Sequence, residues 1–236
     1  LSHTDRNGIR TDYTYDLSHN VKSITTGGSV VKYEYYPNGK IYKLIDADGQ
    51  TKTYYYDNCW NCIKIVDGEG NSISYTYDAE SNVTAEIDPL GNKTTYQYDS
   101  HGRCTMVTDP NGNKTTYVYD ATGNVTRVTN ALGNVTDLSY DNLNRLTGTK
   151  QYVGGETVTT AYTYDCMGRV TSVTNEEGET SYVTYDGFGN EKTITDAKGN
   201  VVTQNSYDKL GQLTQTKDAL GNTTAYQYDT MGNIEQ

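Results

Sequence analysis

Histidine, proline, cysteine and long apolar runs are all scarce in this 236-residue chain, and each shortage removes a class of function. The three histidines, His3, His19 and His101, stand far apart. None is paired with a serine or cysteine nucleophile, and no His-Glu-x-x-His or phosphate loop occurs. No apolar run reaches the ~18 residues of a membrane span. Lysine and arginine total 19 against 30 Asp and Glu, a net charge of −11, which opposes phosphate backbones and anionic lipid. Nucleic acid is therefore excluded as a favoured partner. The hydrophobic share of 34% lies below the roughly 45–50% of ordinary globular domains, so a dry, two-sided core is not expected. There is neither an initiator Met nor a basic segment leading into an apolar one. The chain begins inside a repeat and stops at Asn233-Ile234-Glu235-Gln236, just into a new strand pair. A piece of a longer protein is expected, which deprives the missing targeting signals of meaning.

What the chain has instead is tyrosine, 24 residues against one Phe and one Trp, and a strict period. The stretch Gly112 to Asp120, followed by Ala121-Thr122-Gly123-Asn124, recurs from end to end. Its closing Asp marks each copy: Asp16, Tyr36, Asp57, Asp78, Asp99, Asp120, Asp141, Asp165, Asp186, Asp208 and Asp229. Most of these lie 21 residues apart. Such a period signals a repeat architecture, read here as one repeat domain over residues 1–236.

Within a repeat, Tyr-x-Tyr precedes the marker in eight of eleven copies, among them Tyr96/Tyr98, Tyr117/Tyr119 and Tyr226/Tyr228. Two-residue spacing puts both rings on one face of a strand, and Thr and Tyr favour strands. A helix fails on β-branched content and on Gly every ten or eleven residues. Tyrosine, apolar in its ring and polar at its tip, suits a sheet with at least one wet face. Five residues past the marker begins a second strand, with Cys62, Val83, Cys104 or Val125 at that slot. A further apolar site follows three residues later, at Ile65, Val107 or Val128. Sites three apart face opposite ways on a regular strand, so either both faces carry apolar cover or a bulge switches the facing.

The turns follow from Asp and Gly. Each marker Asp can accept from backbone N–H groups two residues on, while Gly three residues on supplies the positive φ of a bulged hairpin, as in Asp99/Gly102, Asp120/Gly123 and Asp229/Gly232. A second turn ten residues on has the same form, for example Asp109 to Gly112. His19, Trp60 and Ser81 replace that Gly, which predicts strained or differently shaped turns. Three extra residues in Thr149 to Thr157 read as a longer hairpin loop, one near Val201 to Ser206 as a bulge, and Thr26-Gly27-Gly28-Ser29 as a shortened turn. Two strands and two tight turns per repeat leave no room for crossovers, so the expected fold is all-β, an antiparallel meander of about 22 strands. At ~4.8 Å per strand it would extend ~100 Å if flat, so it is expected to coil.

These residues, Gly-Asn-x-Thr-x-Tyr-x-Tyr-Asp followed by x-x-Gly-Asn or x-x-Gly-Arg, resemble the YD repeat, also called the RHS repeat. The chain is similar to the repeat regions of bacterial Rhs and wall-associated polymorphic toxins, insecticidal toxin complex shells and teneurins, over essentially its whole length. The resemblance implies some eleven β-hairpins wound into a spiral that forms part of a hollow β-shell. It also implies a secreted or cell-surface bacterial parent, with a C-terminal toxin domain enclosed by the complete shell. The site residues are then structural: Tyr96, Tyr98, Asp99, Gly102, Gly112, Tyr117, Tyr119, Asp120, Gly123, Tyr226, Tyr228 and Asp229. No catalytic, cofactor-binding or metal residue is expected.

Other motifs have plainer accounts. Asp88-Pro89-Leu90-Gly91 and Asp109-Pro110-Asn111-Gly112 are similar to the run near the family's self-cleavage site, yet both occupy an ordinary turn slot. Cys59-Trp60-Asn61-Cys62 has redox or zinc spacing without a second pair, and Cys62 fills an apolar strand slot; packing, a local disulfide and a metal role stay open. Asp46-Ala47-Asp48-Gly49 and Asp67-Gly68-Glu69-Gly70 lack the rest of a calcium loop. The Asn-x-Thr sites follow from the repeat itself. Two functions from different classes remain: a structural shell segment, and a carbohydrate- or protein-binding surface built on exposed Tyr rows. The end strands, lacking a neighbour on one side, are expected to self-associate.

Overall fold

The structure is a computed structural model that describes residues 1–235; Gln236 lies outside the described residues. It contains 22 strands and no helix among those residues. Two compact units divide the chain, the first Leu1–Thr115 and the second beginning at Thr116.

The first unit holds β1 (Ser2–Thr4), β2 (Arg10–Tyr15), β3 (Val21–Thr26), β4 (Ser29–Tyr35), β5 (Ile41–Ile45) and β6 (Thr51–Tyr56). It continues through β7 (Cys62–Asp67), β8 (Ser72–Tyr77), β9 (Val83–Ile87), β10 (Lys93–Tyr98) and β11 (Cys104–Thr108). From β1 to β11, successive strands pair antiparallel. β12 (Lys114–Tyr119) spans the boundary between the units and pairs with β13 (Val125–Thr129). The second unit then runs through β14 (Val135–Tyr140), β15 (Leu146–Val153), β16 (Glu156–Tyr164), β17 (Val170–Thr174) and β18 (Thr180–Tyr185). β19 (Glu191–Thr195), β20 (Val201–Tyr207), β21 (Leu213–Asp218) and β22 (Thr223–Ala225) complete it, again as a simple antiparallel meander.

The question of facing is answered by a bulge. In β10/β11, Tyr98 lies opposite Cys104 and Gln97 opposite Met106, which leaves Thr105 as an extra residue. Val107, opposite Tyr96, is thereby returned to the face of Cys104. The two apolar sites and the tyrosine pair thus share one face, although they are three residues apart. The same shift recurs in β12/β13, where Tyr119 faces Val125 and Tyr117 faces Val128. It recurs in eight further hairpins.

Burial is shallow. Among the described residues only Ala85, 3% exposed, and Ser172, 6% exposed, are buried. The tyrosine face is covered to intermediate depth, with aliphatic residues of the neighbouring strand such as Val107 and Val128 opposite the rings.

Three irregularities differ from expectation or refine it. The extra residues at 149–157 do not form a longer loop: β15 and β16 are simply longer, paired to Val153↔Glu156 around a two-residue turn. Gly154 and Gly155, at φ 60° and 87°, adopt the left-handed pair that a two-residue type I′ turn demands. Gly27-Gly28 closes β3/β4 in the same way, with Thr26 opposite Ser29. The additional residue in β20 is Val202, skipped where the register passes from Ile194↔Thr203 to Thr195↔Val201.

Candidate functional site

The recurrent residues meet at the hairpin turns and along the tyrosine face. At Asp99 the backbone N–H donates to Arg103 O at 3.0 Å, and Gly102 N–H donates to Asp99 O at 3.0 Å. The Asp99 carboxylate then accepts from His101 N–H at 2.8 Å, Arg103 N–H at 3.0 Å and Arg103 Nε at 2.7 Å. A type I turn with a left-handed fourth residue leaves those two amides pointing inward, and the short Asp side chain fits between them. Chiefly through the Arg103 side-chain bond, its carboxyl is lowered to about 2. Asp120 is likewise lowered to about 2, first by Thr122, whose N–H and hydroxyl both donate to it at 2.9 and 2.8 Å. Gly123 N–H returns to Asp120 O at 3.3 Å. Asp229 accepts from Met231 N–H, Asn233 N–H and Asn233 Nδ2, and Gly232 N–H donates to its carbonyl.

The other turn edge uses the same geometry: Gly112 N–H donates to Asp109 O at 3.0 Å, and the Asp109 carboxylate takes Asn111 N–H, Asn113 N–H and Asn113 Nδ2. The two glycines differ in surroundings. A Cβ on Gly102 would come within 3.4 Å of Asn82 Oδ1 from the preceding repeat, whereas one on Gly112 would meet open space. His19, Trp60 and Ser81 keep the same turn bonds at φ 67°, 64° and 68°. Their turns are not differently shaped; they hold side chains in the left-handed region.

In nine copies the tyrosine just before the marker joins one repeat to the one before it. The Tyr98 hydroxyl donates to Val83 O at 2.8 Å, and the Tyr228 hydroxyl to Leu213 O at 2.9 Å. Equivalent bonds run from Tyr35, Tyr56, Tyr77, Tyr140, Tyr164, Tyr185 and Tyr207 to the first strand residue of the previous repeat. That acceptor is always the residue just before the bulge. Tyr119 occupies the same place opposite Val125. The first tyrosines, Tyr96, Tyr117 and Tyr226, are half-buried. Tyr96 and Tyr117 lie opposite Val107 and Val128, and Tyr226 N–H pairs with Thr214 O.

Two partners were not assigned a role from the sequence. One is the residue four past each turn Asp. As Asn82, Asn92 or Asn222 its amide donates to the Asp; as Arg145 or Arg169 it also stacks on Tyr164 or Tyr185 of the next repeat, 4.7 and 4.3 Å from the ring centre. The recurring Gly-Asn and Gly-Arg were the available signal. The amides of the Asn-x-Thr sites at Asn82, Asn92, Asn113, Asn124 and Asn222 are spent inside turns. The other is the bulge residue, often Thr: the Thr105 and Thr126 hydroxyls donate to Gln97 O and Val118 O across the hairpin.

The remaining chemistry is sparse. No disulfide joins Cys59, Cys62, Cys104 or Cys166 among the described residues, and Cys59 and Cys166 are exposed. Burial raises the Cys62 thiol. Asp46 Oδ1 is engaged by the Asp48 and Gln50 amides, and among the described residues no three His, Cys, Asp or Glu groups converge as a metal site. Tyr36, which replaces a marker Asp, gathers Tyr42, Tyr56 and Trp60 at ring distances of 5.3, 5.7 and 5.9 Å.

Hairpins closed by Asp–Gly turns and joined to one another by tyrosine hydroxyls define a β-repeat array in which the recurrent residues make their bonds within the array. The chain is such an array of YD (RHS) repeats: the RHS Repeat family matches residues 61–93 and 77–116, and the Teneurin YD-shell family matches residues 134–236. Its fold is that of the TcdB2-TccC3-Cdc42 crystal structure, with a TM-score of 0.78 at 13% identity over 99% of this chain. The structure of TcdB2-TccC3 gives 0.77 at 13% identity over 99%. A Photorhabdus luminescens Tc holotoxin pore carrying TccC3-D651A gives 0.51 at 14% identity over 96%. The chain spans only 16%, 16% and 18% of those three chains. No curated protein matches it.

Proposed function

We propose that the chain is a section of wall in a hollow YD-repeat shell, one continuous repeat array within a secreted or surface-delivered bacterial parent. The complete shell encloses a C-terminal toxin domain, and the segment itself is not an enzyme. The observation that carries this reading is the tyrosine staple: nine hydroxyls donate to the preceding repeat at 2.7–3.0 Å, so the most recurrent polar atoms are committed to joining repeats. A wall needs such lateral bonds, whereas a binding row needs free ones. The half-burial of Tyr96 and Tyr117 against valines likewise leaves no flat aromatic platform for a sugar at that row. The free edges of β1 and β22 are to be covered by the adjoining repeats of the parent.

Limited proteolysis of the parent protein tests this. The segment following the shell should resist digestion while the wall is intact and become sensitive when Tyr98, Tyr140 and Tyr185 are all changed to Phe. Immediate digestion in the unaltered parent would sink the enclosure reading.

A further inference from the structure

The turn tips of the second unit carry an apolar row that the wall does not use. Two residues past the marker stand Leu143, Met167, Phe188, Leu210 and Met231, in five successive repeats. They are 70%, 77%, 86%, 84% and 87% exposed. At the corresponding turns of the first unit stand Ser18, Asn38, Cys59, Glu80 and His101, and Thr122 opens the series in the second. The opposite edge of the second unit has no such row, since Glu177 and Lys198 separate Leu132 from Leu220.

Marker turns all fall on one edge of a meander, so these five side chains lie in line, two strand spacings or ~10 Å apart, over ~40 Å. The long hairpin β15/β16 does not interrupt them, because its extra residues project at the other edge. Each is also held in place: the backbone N–H of Leu143, Met167, Phe188, Leu210 and Met231 donates to the carboxylate of its own marker Asp at 2.8–2.9 Å. Ordering the row on contact therefore costs little backbone entropy. Of the residues just before the row in the chain, Asn142, Cys166, Gly187, Lys209 and Thr230, only Lys209 is charged, and the marker carboxylates are bonded within their own turns. A regular row of exposed apolar side chains of this extent marks an interaction surface.

We propose that this row is a self-association surface, occupied by the same row of a second copy, antiparallel about a two-fold axis at Phe188. A line of side chains with a fixed spacing is matched by a line of the same spacing, and a two-fold contact makes the match self-complementary. Leu143 then meets Met231, and Met167 meets Leu210. The five side chains offer on the order of 700–800 Å² per copy, about the ~800 Å² that each partner brings to a standard interface. The same axis places Cys166 beside Lys209 of the second copy, both exposed.

Sedimentation equilibrium from low to high micromolar should show a mass rising to that of two chains. The Phe188→Ser/Leu210→Ser variant should return to one chain with unchanged β circular dichroism, the mass halving at the same concentration. A short amine-to-thiol cross-linker should join Cys166 to Lys209 between copies of the unaltered chain, and Cys166→Ser should abolish that product. This cross-link decides the matter even if the double variant fails to fold. A single-chain mass at every concentration, a two-chain mass that survives in the folded double variant, or inter-chain products confined to the ends at β1 and β22 would each overturn the proposal.

Discussion

The hydroxyl of Tyr98 is the smallest unit on which the fold depends. It satisfies Val83 O at a place where the bulge has taken that strand out of regular pairing. Tyr98→Phe should cost about 1 kcal/mol, the usual net worth of one such bond, read as a lower urea midpoint with an unchanged m-value. Turn residues divide by backbone conformation. Gly112 sits at φ 84° with open space around it, so Gly112→Val should destabilise by about 1–2 kcal/mol from the left-handed φ alone. Ser81→Gly, at φ 68°, should stabilise, since it relieves the same strain in reverse; a melting temperature no higher than the parent's would contradict this. Acid supplies a third measurement. Asp99 and Asp120 fall from 3.8 to about 2 on folding, so their contribution is full above the unfolded value and is lost as pH drops through the folded one. Asp57, Asp78, Asp88, Asp186 and Asp218 are lowered too, each by bonds within its own turn. Thermal stability should therefore be flat above about pH 5 and decline between about pH 4 and 2.

Among elements, the bulged hairpin is the recurring part, and its bulge residue matters by position more than by chemistry. Thr105→Ala removes one hydroxyl bond to Gln97 O and should be mild. Deleting Thr105 should be severe, because Val107 would turn from the face of Tyr96 to the opposite one while Cys104 stayed. Comparing the melting temperatures of the two variants separates these effects; equal losses would mean that the bulge does not set the facing. The hairpin β15/β16 shows where a turn can absorb change: added residues extend both strands, and a Gly-Gly pair closes them.

Each repeat touches its neighbours in the chain through strand pairing and the tyrosine bond, so stability should behave as a sum over repeats and their junctions. Excising residues 78–98 joins Tyr77 to Asp99 and removes one whole period. The shortened chain should fold to the same β signal with a lower melting temperature, whereas excising half a period should abolish cooperative unfolding. Period, strand count, antiparallel order and the two turn edges could all be read from Asp, Gly and Tyr-x-Tyr, because those residues act through local backbone geometry. The bulge could not, since Cys104 and Val107 are equally compatible with two-sided apolar cover until a partner strand fixes the register. Nor could the roles of Asn82, Arg145 and the Tyr98 hydroxyl, whose partners lie across a turn or in a neighbouring repeat. The sequence by itself determined a β-repeat of Asp–Gly turns, because a turn is settled within a few residues of chain. Only the tertiary structure decided which face the tyrosines share and what their hydroxyls hold, because both depend on residues a full hairpin away.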